Sequence, residues 1–177
     1  AFVTRTPNQA TSPDGTTTAD KIVLSSGRRA DNAYIGNSNA GLVSSAPFNA
    51  SVYMKDAGYR YGVITVGSFA SGYYAIFDLQ NGTVATNPTA SGVTASIVDA
   101  GDGWYRCAVI ADASVGGASI EALVLSSSPD NTLTTTHNGA DGIFVWGAQF
   151  QAISSPTAGT YVRTLGETRS ISDAVAP

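Results

Sequence analysis

At 177 residues the chain is long enough to bury one sizeable core and short enough to be a single domain. Only 12% of the residues are charged, the formal charge is −4 and Lys and Arg form no cluster, which argues against nucleic-acid phosphate as the main partner. No apolar run has the length of a membrane span or of a signal-peptide core, and a chain rich in Gly, Ser, Thr and Ala reads as a β protein with many turns.

Taken in order, Ala1-Phe2-Val3-Thr4 is expected to be a short strand within an N-terminal arm, 1–12, and Arg5 to Pro13 a polar connector. Ser12-Pro13-Asp14-Gly15 places Pro and Gly for a β-turn, and Thr16 to Leu24 reads as a strand. Ser25 to Ala33 is loop-like, with Arg28-Arg29 as a solvated turn, and Tyr34-Ile35 begins a short strand. Phe48 to Lys55 alternates cleanly, with Phe48, Ala50, Val52 and Met54 to one side and Asn49, Ser51, Tyr53 and Lys55 to the other. Two further strands, Tyr59 to Val66 and Tyr73 to Leu79, lead into the hairpin signal Asn81-Gly82, from which Thr83-Val84 returns.

The stretch Val93 to Ile110 is the clearest in the chain. Two alternating runs are joined by Asp99-Ala100-Gly101-Asp102-Gly103, residues that tolerate positive φ, so a β-hairpin is expected. Within it Tyr105, Cys107 and Val109 face one way, and Trp104, Arg106, Ala108 and Ile110 the other. Ser119 to Leu125 reads as an apolar strand, Ser126 to Gly142 as a long polar loop, and Ile143 to Phe150 as a strand apolar on both faces, with Trp146 in the core. A tail, 154–177, carries one short strand at Thr160 to Arg163. Many short strands and no helical period predict an all-β, antiparallel, two-sheet sandwich of jelly-roll type.

Six strings stand in a set order: PDGTTTADKI (Pro13–Ile22), FNASVYMK (Phe48–Lys55), FDLQNGTV (Phe77–Val84), GDGWYRCAV (Gly101–Val109), DGIFVWGAQF (Asp141–Phe150) and PTAGTYVRT…TR (Pro156–Arg169). Together they resemble the carbohydrate-binding-module-like jelly-roll domain of tailed-phage virion proteins and of some bacterial polysaccharide-degrading enzymes. The chain departs from that pattern in having only twelve residues before PDGTTTADKI and in ending TRSISD (Thr168–Asp173). Ala1 is compatible with removal of an initiator methionine, which would make this a small complete protein; a mature fragment is the other reading. The resemblance implies binding without catalysis, as a virion surface protein (capsid decoration or tail fibre) that meets other virion proteins and host glycans. The alternative is a carbohydrate-binding module of a secreted polysaccharidase, and a third reading is structural cement with no glycan affinity.

Trp104 and Arg106 are the first candidates for glycan contact, because aromatic faces stack on pyranose rings and Arg bonds hydroxyls; Trp104 equally suits covering one end of the sandwich. Tyr34, Tyr53, Tyr59 and Tyr61 are expected on an outer or concave face, with Gln149 as a polar partner. Loop carboxylates, Asp14, Asp141 and Asp173 among them, are hard-oxygen ligands that suit a structural Ca²⁺, which the resemblance also implies; turn capping is their other reading. With one Cys and one His, no zinc site is expected, and Cys107 reads as a small buried hydrophobe rather than a nucleophile served by His137. Glu121 and Glu167 have no reason to pair across a cleft and no GxSxG elbow occurs, so no enzyme is expected. Ala1 to Thr4, apolar at a sheet edge, are expected either at an interchain contact of a homo-oligomer or virion lattice, or paired within their own sandwich.

Overall fold

The computed structural model describes residues 2–36, 47–66, 72–112, 123–152 and 161, with the backbone alone at 123–125 and 152. Among these lie eleven strands and no helix: β1 (Val3–Ala10), β2 (Ala19–Leu24), β3 (Ile35–Gly36), β4 (Phe48–Ala57), β5 (Tyr61–Val66), β6 (Tyr74–Asp78), β7 (Thr83–Thr86), β8 (Val93–Gly101), β9 (Trp104–Ala111), β10 (Leu123–Ser128) and β11 (Gly142–Ala152). They make a six-stranded sheet ordered β1-β2-β11-β4-β9-β8 and a five-stranded sheet ordered β3-β10-β5-β6-β7.

The pairings nest. Strand β2 pairs with β11, β3 with β10, β4 with β9 and β5 with β6, all antiparallel. This is one long hairpin rolled so that its successive strand pairs alternate between two sheets, which defines a jelly roll. The sandwich expected from the alternation is therefore the one observed. Phe48, Ala50, Val52 and Met54 of β4 and Cys107, Val109 and Ala111 of β9 pack in one core with Ile64 of β5 and Phe77 of β6. The β8–β9 hairpin turns on Asp102 (φ 52°) and Gly103 (φ 76°), left-handed at both central positions as a type I′ turn requires.

Three sequence expectations need correction. The connector expected from Arg5 onward is strand: β1 pairs with β2 from Val3↔Leu24 to Thr6↔Lys21, resumes at Ala10↔Ala19, and bulges between, where Asn8 takes a φ of 57°. Val3 and Thr4 thus pair within their own sheet, Phe2 lies beneath the Arg28 guanidinium, and Ala1 lies outside the described residues. Ser126, Ser127 and Ser128, expected to open a loop, continue β10 as fully buried residues: the Ser126 and Ser128 hydroxyls donate to Ala33 O and Thr132 O, and the Ser127 hydroxyl lies 3.2 Å from His137 Nε2.

The third correction concerns Trp146. Strand β11 carries an extra residue between Trp146↔Tyr53 and Gln149↔Ser51. Ile143 and Val145 face the core before this bulge, and Phe150 does after it, stacked on Phe48 with ring centroids 5.0 Å apart. Phe144 and Trp146 are left on the other side. A bulge shifts the pleat by one, so a run that looked apolar on both faces is a strand whose core face changes parity midway.

Candidate functional site

The outer face of the six-stranded sheet can be followed row by row from the register. One row across β11, β4, β9 and β8 is Trp146, Tyr53, Arg106 and Val98; the next is Gln149, Ser51, Ala108 and Ser96; the third is Gln151, Asn49, Ile110 and Thr94. Val98 is 58% exposed, an unusual value for a valine in a strand. Tyr53, Trp146, Arg106 and Gln149 are half-buried, whereas Asn49 and Ser51 form a buried floor.

Three rings meet on this face. Tyr161 approaches edge-on to Tyr53 at 5.6 Å and tilted to Trp146 at 5.0 Å, and Tyr53 lies 5.4 Å from Trp146. Gly147, at the bulge with φ +60°, makes room for them: a Cβ there would stand 3.0 Å from the Tyr161 ring and 3.2 Å from that of Tyr53. The indole of Trp146 is oriented from the β1–β2 connector. Its Nε1 donates to Thr18 Oγ1 (3.0 Å), which lies 2.8 Å from Thr16 Oγ1; the Thr16 hydroxyl in turn donates to Asp14 Oδ1 at 2.6 Å. The Thr18 hydroxyl also lies 3.0 Å from Ser12 Oγ, and both Ser12 and Thr16 donate to Asp14 Oδ1, so the indole is anchored to the Asp14 carboxylate through this hydroxyl cluster.

Beside the rings, Arg106 Nη2 donates to Ser51 Oγ (3.2 Å), and the Gln149 amide donates to Gln151 Oε1. Four buried polar atoms on this face have no hydrogen-bond partner: Asn49 Nδ2 and Oδ1, Arg106 Nε and Gln151 Nε2.

Of the glycan candidates, the fold gathers Tyr53, Arg106 and Gln149 here and disperses the others. Trp104 is 2% exposed with its Nε1 bonded to Thr11 O (3.0 Å), so its ring has no open face and it serves as the end cover. Tyr59 is buried, edge-on to His137 at 5.0 Å, its hydroxyl accepting from Asn138 N. Tyr61 packs in a second small cluster with Val63, Ile76 and Leu133 on the outer side of the five-stranded sheet. Tyr34 is exposed just before β3. Sequence reasoning missed Trp146 and Tyr161; the signal for Trp146 was its place in the alternation Ile143, Phe144, Val145, Trp146.

The remaining chemistry is structural. Burial pushes the Cys107 thiol well up, so it is a core residue and not a thiolate nucleophile. His137 has both ring nitrogens beside carbonyl oxygens, Nδ1 at 2.9 Å from Arg28 O and Nε2 at 2.8 Å from Ser127 O. Asp14 Oδ1 accepts from Ser12 Oγ, Thr16 N and Thr16 Oγ1, and Asp141 Oδ2 accepts from Asn138 Nδ2. Calcium needs six to eight converging oxygens, and no group of three or more His, Cys, Asp or Glu converges among the described residues. Asp14 and Asp141 each anchor a turn through these bonds; Asp173 lies outside the described residues. Among those residues no helix is long and apolar enough to cross a membrane.

Fold and face together define a class: a jelly-roll sandwich with an aromatic and polar patch on the outer side of its larger sheet. Compared with known proteins, the chain matches no family model and no curated sequence.

Proposed function

We propose that the chain is a non-catalytic glycan-binding protein that takes a sugar on the outer face of its six-stranded sheet. One observation carries the reading. Tyr53, Trp146 and Tyr161 form a half-buried aromatic cluster directly beside Arg106, Ser51 and Gln149, so apolar ring faces and hydrogen-bonding groups sit in adjacent rows. A pyranose needs this combination, since its C–H face stacks on aromatic rings while its equatorial hydroxyls reach sideways to amides and guanidinium. The absence of catalysis is supported by the condition of the reactive groups, with Cys107 sealed in the core and Asp78 bonded bidentately to Arg60.

The setting we propose, a phage virion surface protein of the capsid or tail that contacts other virion proteins and host glycans, follows from the resemblance of the six strings. A secreted polysaccharidase module would use the same face. Finding the chain in purified phage particles supports the first setting; finding it in one polypeptide with a catalytic domain supports the second.

Affinity electrophoresis through gels containing soluble polysaccharides tests the binding itself. Trp146→Ala is expected to weaken retention about tenfold, equivalent to about 1.4 kcal/mol, with an unchanged fold. Wild-type migration unaffected by every polysaccharide removes the glycan reading.

A further inference from the structure

We infer that two copies of the chain join edge to edge through β8, continuing the six-stranded sheet across a two-fold axis at Ile97. A sheet edge carries backbone N–H and C=O groups with nothing to bond, and such edges are blunted where pairing with another chain is to be avoided. Three of the four edges here are blunted. Strand β1 carries Arg5 and Pro7 and bulges around Asn8, and β3 is two residues long. Strand β7 is covered by Asn131, whose Nδ2 donates to Ala85 O while its Oδ1 accepts from Thr86 Oγ1. Strand β8 has none of these devices. It runs from Val93 to Gly101 without Pro, Lys or Arg, and its Val98 is 58% exposed.

The ladder shows which groups are open. Asp112 N donates to Gly92 O, so the pairs that bond β8 to β9 continue at Thr94, Ser96 and Val98. Ala95, Ile97 and Asp99 therefore turn both backbone groups away from β9, and among the described residues no strand lies there to receive them. A second copy matches these groups. Antiparallel pairing about Ile97 sets Ile97 against Ile97, and Ala95 against Asp99 on either side of the axis. Each such pair exchanges both of its N–H···O bonds, so every open group is used. A centre at Ser96 instead sets Asp99 against Val93, whose N–H is already given to Ala90 O. On the outer face the two exposed Val98 side chains meet diagonally, within the reach of about 7–8 Å that such pairs have. Charge permits the contact as well, because Asp99 is the one charged residue of β8. Lying opposite Ala95 of the other copy, the two Asp99 residues are offset by about 14 Å along the strands, beyond the screening length of about 8 Å. Both outer faces then lie on one side of a continuous sheet, the two β4 strands about 24 Å apart across β9, β8 and their copies. The dimer does not rest on the glycan reading; this pairing of two sugar faces does.

Sedimentation velocity on the full chain over a hundredfold range of concentration tests the contact. A species of twice the 18.0 kDa chain mass is expected to grow in as concentration rises. Val98→Lys sets two cations diagonally across the axis and is expected to weaken association tenfold or more with an unchanged circular dichroism spectrum. Ala95→Pro removes an outward N–H and no bond to β9, and is expected to act the same way. Cross-linking reads the register, with Cys107 buried and out of reach. Under mild oxidation Ile97→Cys is expected to give a disulfide dimer, and Thr94→Cys none, since its two copies stand about 20 Å apart along the strands. The wild-type measurement needs no variant and stands if a substitution prevents folding. A wild-type chain that stays monomeric throughout, with fast amide exchange at Ala95 and Ile97, overturns the proposal. A dimer that survives both Val98→Lys and Ala95→Pro, or that cross-links as well through Thr94→Cys, is held elsewhere and also overturns it. Neither outcome touches the glycan reading, which polysaccharide retention tests separately.

Discussion

Over the five-stranded sheet, residues 25–33 and 129–141 meet and close the outer face. Ala30 packs with Val63 and Ile76, Leu133 lies against the same cluster, and His137 joins the two segments through Gly27 N→His137 O, His137 N→Arg28 O and Nδ1 beside Arg28 O, while its Nε2 reaches Ser127 O in β10. Over the six-stranded sheet the side chains alternate just as well, yet all four of the buried unpartnered polar atoms among the described residues collect there. One face is matched group for group within the chain; the other holds rings, a guanidinium and amides in position with part of their bonding capacity unused. On the proposed reading, the first face contributes stability and the second meets a ligand.

If that contrast is right, damage to the closed face should register in stability. The largest effect is expected for His137→Ala, which removes the ring contacts to Arg28 O and Ser127 O and the edge-on packing against Tyr59, and leaves a cavity where the buried ring stood. A loss of about 3 kcal/mol in urea denaturation follows, with faster hydrogen exchange at Gly27 and His137 and no change in glycan retention. A urea midpoint within error of wild type would mean that the two segments are not held as described.

Next in size is Asp78, on the same sheet. Its bonds to the Arg60 guanidinium hold its carboxyl at about 2, well below the ordinary 3.8, with Asn81 N and Gln80 N adding to the effect against the opposing cost of burial. Because the folded value is depressed, the stabilisation is fully present above pH about 4 and disappears as pH falls through about 2; it amounts to about 2 kcal/mol. Asp78→Asn should lose that stability at pH 6 and flatten the fall in melting temperature that the wild type shows between pH 4 and 2. Parallel acid melting curves for the two proteins would assign the acid transition to other groups.

The smallest effect has the opposite sign and sharpens the comparison most. Asn49→Leu removes a buried amide with two unmatched atoms and is expected to stabilise the fold by about 1 kcal/mol. A destabilised Asn49→Leu would show that the amide is satisfied in solution.

Much of the face was legible from alternation alone. Phe48 to Lys55 showed which β4 side chains turn away from the core, and those are the Asn49, Ser51 and Tyr53 of the site. Arg106 was equally plain from its parity in β9. The two tryptophans were not. Both lie on the outer parity of the same sheet, and which one stays accessible depends on the connector 11–18, far from either in sequence: Thr11 O ties Trp104 down where it is 2% exposed, while Thr18 Oγ1 holds Trp146 half-exposed. Tyr161 joins the cluster from beyond β11, a contact with no local signature.

The sequence by itself determined the two-sheet sandwich, the Asp102-Gly103 hairpin and the facing of β4 and β9, because each depends on a side-chain period of two and on residues that tolerate positive φ, properties readable over a few positions. Only the tertiary structure decided that a bulge at Gly147 sends Phe150 inward and leaves Trp146 outside, that Ser126 to Ser128 are buried strand, and that His137 binds two distant segments. Those outcomes depend on whether a polar group or a ring finds its partner across the fold, and partners more than a hundred residues apart, such as His137 and Arg28, leave no trace in either neighbourhood.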